Sequence, residues 1–219
     1  MGRLAGAARR RRARVARLRR RAPLLIALLV AALPASSEPA REPDGFSARL
    51  VAAALERTRH PVRYDGSYRR IAYPGGDVPA HVGVCTDEIV RMYRALGVDL
   101  QRDVHEAMRA RFGTFPDHWG LRAPDPNIDH RRVPNLATLF TLEGIVLPVT
   151  DHAQAYRPAD LVTWMLPGNL PHIGVVVDRR SEDGLRPLMV HNIGRGPRLE
   201  DTLFAYPITG HYRYYGSRE

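Results

Sequence analysis

The chain has no lysine; all 33 of its basic Lys+Arg residues are arginine. That points to compositional bias and not to chemistry. It has a single cysteine, Cys85, which excludes an internal disulfide and leaves two readings, an inert buried thiol or a reactive one. The longest apolar run, Pro23 to Leu33 (PLLIALLVAAL), is short for crossing a bilayer. No cysteine follows that run, so nothing supports a lipoprotein anchor. Internal repeats, low-complexity tracts in the body and a phosphate-binding glycine loop are all missing, and Gly194–Arg195–Gly196 reads as a turn between strands.

The net charge of +10 suggests a nucleic-acid partner, but its distribution argues otherwise. Ten arginines and no acid lie in residues 1–22; taking those ten from 33 leaves 23 basic residues against 23 acidic ones. A neutral body removes the electrostatic case for phosphate binding, so no nucleic-acid partner is expected. The arginine-rich start, the apolar run and the small-residue stretch PASSEPA have the layout of a secretory signal peptide over residues 1–37, with a signal anchor as the alternative. Arg20–Arg21 hints at twin-arginine export. The expected location is the periplasm or the exterior, or the membrane if the leader is retained. Residues 38–45 read as a proline-containing linker. Residues 46–219 suffice for one domain with its own core.

Phe46, Leu50, Val51, Ala54 and Leu55 at helical spacing predict a helix over 46–59. Residues 60–84, with three prolines and four glycines, predict a long structured loop. Ile89, Val90, Tyr93 and Leu96 form one apolar face of a helix over 86–96, with acids in its first turn and Gly97 as its stop. Further helices are predicted over 101–112 and 134–143, with a loop over 113–133. Strands follow over 161–165, 173–178, 188–192 and 210–215. Helices first and strands later predict an α+β fold, N-terminal helices packed on an antiparallel sheet.

Cys85 directly precedes the predicted helix, where unpaired N–H groups and the positive dipole end would lower a thiol's pKa. The alternative is a small buried residue capping a core helix. His172 opens an apolar strand (LPHIGVVVD) and is the candidate base that takes the thiol proton and later protonates a leaving amine. His191 ends the next apolar run and could orient His172. Asn192 is the alternative orienter; the two point to opposite faces of a strand, so only one can serve. The Tyr73 hydroxyl could donate to a developing oxyanion beside the Cys85 N–H. A core or surface tyrosine next to a turn explains it equally well.

His118, Asp125, Asp129 and His130 form a polar cluster in a proline-rich loop. Their spacing fits no metal pattern, and the calcium-like echo of Asp125, Asn127 and Asp129 lacks the glycine and glutamate. Trp119, Trp164, Tyr156 and Tyr214–Tyr215 could line a polymer groove or serve as core and rim aromatics.

YPGGDVPAHVGVCTD, then PADLVTW, PHIGVVVD and VHNIG, resembles the NlpC-type cell-wall peptidases of the papain-like class. The resemblance matches Tyr73 and Gly75–Gly76 to that family's tyrosine and glycine pair, and Cys85 to its nucleophile. It matches His172 to the base, His191 to the third polar residue, and Asp160–Leu161–Val162 to the pre-strand motif, with Ala159 in place of glycine. The usual Asp-Cys-Ser-Gly reads Val84–Cys85–Thr86–Asp87 here, which moves the acid past the nucleophile. Asp87 and Asn192 join Tyr73 as candidate oxyanion or substrate-binding residues. The span from about Ser47 to Tyr215 also resembles an exported bacterial family, domain-of-unknown-function family 1287, grouped with these peptidases. The resemblance implies a cysteine peptidase or amidase acting on peptidoglycan peptides or another amide substrate, without metal or cofactor, as a monomer. Three rivals are a non-catalytic binding module on the same fold, an acyl or peptidyl transferase using the same pair, and a metalloenzyme.

Overall fold

A computed structural model describes residues 45–217. The expected leader over 1–37 and all of the expected linker except Gly45 lie outside the described residues.

Helix α1 (Phe46–Arg57) buries Phe46, Leu50, Val51 and Ala54, the face its spacing predicts. Helix α2 (Cys85–Arg94) begins where Val84 is extended; the Asp87 carboxylate reaches back to accept the Val84 N–H at 2.7 Å. Helix α3 (Leu100–Arg111) is capped by Asp99, whose side chain accepts from the Gln101 N–H at 3.1 Å. Helix α4 (Val133–Glu143) carries Pro134 in its first turn, where the missing N–H has no helical partner to lose.

Residues 60–84, read as loop from the sequence, contain a parallel pair, β1 (Arg63–Tyr64) and β2 (Val82–Gly83). The pair sets Tyr64 opposite Gly83, two residues before Cys85. The main sheet has six strands: β3 (Ile145–Val146), β4 (Leu161–Leu166), β5 (Leu170–Arg180), β6 (Pro187–His191), β7 (Arg198–Glu200) and β8 (Ile208–Arg213). Their order is β3-β8-β4-β5-β6-β7 and every pairing is antiparallel.

The sheet is covered on both faces, which explains why β4 and β5 read as continuous apolar runs and not as alternating ones. One face carries Leu161, Ile173, Val175, Val177 and Val190 into the main core with α1, α2 and α4. The other carries Val162, Trp164, Val176 and Met189 into a smaller cluster closed by Tyr156 and Leu203. No described helix is long and apolar enough to cross a membrane.

Candidate functional site

The first turn of α2 is sealed into the protein: Cys85, Thr86, Asp87 and Glu88 are all buried. Buried charges need partners, and two arginine clamps supply them. Arg131 grips Asp87 with two hydrogen bonds, Nε to Oδ1 at 2.8 Å and Nη2 to Oδ2 at 3.0 Å, and also donates to the carbonyls of Ser67 and Asp65. Glu88 is held by Arg57 at 2.7 Å and by Arg91 at 2.9 Å, and Arg91 continues to Asp77. Thr86 donates its hydroxyl to the Arg131 carbonyl at 2.8 Å. Segments far apart in sequence thus fix where Cys85 sits.

Cys85 is 4% exposed, yet it forms part of the wall of a cavity of about 540 Å³. Burial pushes its thiol up to about 11, although the backbone amides of Ile173 and Thr86 and the Tyr64 hydroxyl favour the anion. The nearby Asp87 charge works against the anion as well. This corrects the expectation of a lowered thiol pKa: helix-start amides are present, but desolvation outweighs them. The Tyr64 hydroxyl sits at both the sulfur and the Cys85 backbone N–H, and burial raises its pKa further above the ordinary range.

The Ile173 amide at the sulfur places the main chain next to His172 beside Cys85. His172 is buried, stacks on Trp164 with ring centroids 5.7 Å apart, and contacts His191 through Nε2 to Nδ1 at 3.0 Å. His191 Nε2 meets the Glu200 carboxylate at 3.0 Å and the Thr202 hydroxyl at 3.2 Å. This chain dictates where the protons lie. A carboxylate only accepts, so His191 carries its proton on Nε2. Its Nδ1 is then a lone pair and accepts from His172 Nε2–H. The His172 lone pair is left on Nδ1, the atom a base needs. Burial, followed by the neighbouring His191, depresses His172 to about 3, so the imidazole is neutral at physiological pH. Burial also lowers His191, with Glu200 opposing. Gly174 makes room for the cluster: a Cβ there would lie 2.9 Å from the His191 Cβ and 3.1 Å from the Trp164 ring.

The other sequence candidates lie elsewhere or serve differently. Tyr73 packs its ring on His105, with centroids 4.8 Å apart, and is 40% exposed. Gly75 and Gly76 donate to Asp99 and Gln101 at the start of α3. The tyrosine at the sulfur is Tyr64, which sequence reasoning missed because it lies in a segment without periodicity. Asp87, expected to face substrate, has both oxygens committed to Arg131 and Val84, so it positions the helix instead. Asn192 points away from the His172–His191 contact and accepts from the Gly194 N–H at 3.0 Å. His191, not Asn192, meets His172. Glu200 and Thr202 carried no sequence signal. Asp160 accepts from His211 and Arg213 in a buried ion cluster that locks β8 to the start of β4. Among the described residues, no three His, Cys, Asp or Glu side chains gather to hold a metal, and the polar 118–130 cluster does not converge.

The cavity at Cys85 abuts a second of about 680 Å³; they share Trp119, Val133, Pro134 and Pro171 as walls. The second runs under α4 to Thr163, Thr209 and Tyr212 on the sheet.

Fold and site define a class: an α+β protein whose lone thiol, at a buried helix start, meets a strand amide next to an ordered imidazole pair. The chain belongs to the family described as "Domain of unknown function (DUF1287)", whose model matches residues 51–214. It is 48% identical over 152 residues to the uncharacterized protein YijF of Escherichia coli (strain K12), an alignment spanning 69% of this chain and 74% of YijF.

Proposed function

We propose that the protein is an exported cysteine hydrolase of papain-like, NlpC-type fold that cleaves an amide bond, in the peptide part of peptidoglycan, through an acyl-enzyme. The observation carrying this reading is the convergence on the lone cysteine of the Tyr64 hydroxyl and the Ile173 amide, the latter one residue along β5 from His172, whose tautomer is fixed by His191 and Glu200.

With a thiol near 11 and a neutral imidazole, the resting pair is uncharged. Attack therefore takes place with proton transfer: the S–H proton moves to His172 Nδ1 as the sulfur–carbon bond forms. The Cys85 N–H and the Tyr64 hydroxyl, rather than Tyr73, donate to the developing oxyanion. Collapse breaks the carbon–nitrogen bond, and the leaving amine takes the proton from His172. Water, deprotonated by His172, then cleaves the thioester, and the acid leaves as the thiol regains its proton.

The experiment is Cys85→Ala assayed on purified cell-wall fragments. Product release should disappear, and undiminished hydrolysis overturns the proposal. The burial of the sulfur favours one second reading, a binding module that keeps the fold and does no chemistry. It predicts a Cys85 that iodoacetamide does not label even at pH 9.

A further inference from the structure

The 113–133 segment, predicted as a loop, leads back to the site. It carries Trp119 and runs into Arg132, and both line the cavity that contains Cys85. The Arg132 guanidinium lies 3.9 Å from the centre of the Trp119 ring, a contact that holds its plane in place. Of its five N–H donors, one is engaged among the described residues, Nη1 to the Asp129 Oδ1 at a long 3.3 Å. None of the others is both buried and unpartnered.

The charges around this guanidinium can be assigned. Arg131, also on the cavity wall, is spent on Asp87 and two carbonyls. Asp129 is 1% exposed and also accepts the Asp125 N–H. Asp125 also acts on Arg132 but does not line the cavity; its carboxylate accepts from Asn127 and from the hydroxyl of Tyr68 on the cavity wall. No aspartate or glutamate lines either cavity. The walls beside the thiol therefore present two arginines and no opposing carboxylate, while the second cavity is lined by uncharged residues and His118. A planar, pre-oriented guanidinium with unspent donors is suited to a bidentate carboxylate.

We infer that Arg132, held by Trp119, forms an anion subsite next to Cys85 that binds a carboxylate of the substrate close to the scissile bond. That the occupant is a substrate rests on the hydrolase reading; the subsite itself does not. The reaction would then be selective for acidic peptides, with the uncharged cavity receiving the adjoining portion of the chain.

Two probes test this on the full chain. Cys85 is the only cysteine, so whole-protein alkylation at pH 9 reports on it alone. The rate ratio of anionic iodoacetate to neutral iodoacetamide should fall at least fivefold in Arg132→Gln and should be largely retained in Arg132→Lys. Independently of thiol reactivity, glutarate should shift the Trp119 indole N–H resonance saturably and at least tenfold more tightly than glutaramide, a preference that Arg132→Gln removes. An unchanged alkylation ratio, or equal binding of glutarate and glutaramide, overturns the subsite. If glutarate binds through Arg132 while Cys85 resists both reagents, the subsite stands and the hydrolase reading fails.

Discussion

The proton on Cys85 controls its chemistry. Because burial holds the thiol near 11, the rate of iodoacetamide labelling should climb about tenfold per pH unit through the alkaline range, with no plateau below pH 10. A plateau at neutral pH would show an ion pair already formed. The His172–His191–Glu200 chain makes a second demand: nitrogen chemical shifts should find both histidines protonated on Nε2 in the native protein. Glu200→Leu should randomise the His191 tautomer and slow substrate turnover without moving the thiol titration. Protonation of His191 on Nδ1 instead would turn the His172 lone pair to Nε2 and leave its Nδ1 unable to accept a proton. Ala159 supplies a third case. It sits in left-handed backbone, φ 72°, where an L side chain costs about 1–2 kcal/mol. Ala159→Gly should therefore stabilise the protein by about 1 kcal/mol, seen as a rise in Tm of about 2–4 °C. The sequence showed that alanine as a departure from a glycine motif; only the backbone angle gives the departure a cost. Cys85, His172 and His191 stood out in the sequence because each sits at an element boundary in a patterned run. Tyr64 and Glu200 were not, because a two-residue strand and a three-residue edge strand carry no period.

At the scale of elements, the helix that begins with Cys85 is fixed by charge as much as by packing. Arg131→Met would leave Asp87 buried and unpaired, a loss of about 3–5 kcal/mol in denaturant unfolding. Pairing it with Asp87→Asn should recover part of that loss, because the uncompensated charge is then gone. The four helices lie within two residues of expectation; α1 shows why, its buried Phe46, Leu50, Val51 and Ala54 recurring at helical spacing. β5 extends beyond its predicted 173–178 to Leu170–Arg180 because its ends are held by pairing with β4 and β6, which leaves no local trace. β1, β2, β3 and β7 are two or three residues long and owe their existence to their partners. Asp87 looked like a substrate residue for the same reason: Arg131, which consumes it, is 44 positions away.

For the molecule as a whole, burial against the sheet and among the helices keeps titratable groups indoors in neutral form. His172 is depressed to about 3 and His130 to about 4, both by burial first, whereas unfolding returns them to the ordinary 6.5. The unfolded chain therefore binds more protons below pH 6.5; stability is full above that value and declines as pH falls toward 4. Asp103 and Asp129, raised by burial, act in the opposite sense nearer the ordinary 3.8, so the decline is cleanest between pH 7 and 5. Urea midpoints across that interval should fall, and His130→Gln should flatten the slope; a midpoint independent of pH contradicts the buried neutral histidines. The buried sulfur has one more consequence. Peroxides attack the thiolate, so a thiol that seldom ionises is slow to oxidise. The chain has no second cysteine to resolve a sulfenic acid, which makes such shelter the molecule's own protection against losing its only thiol.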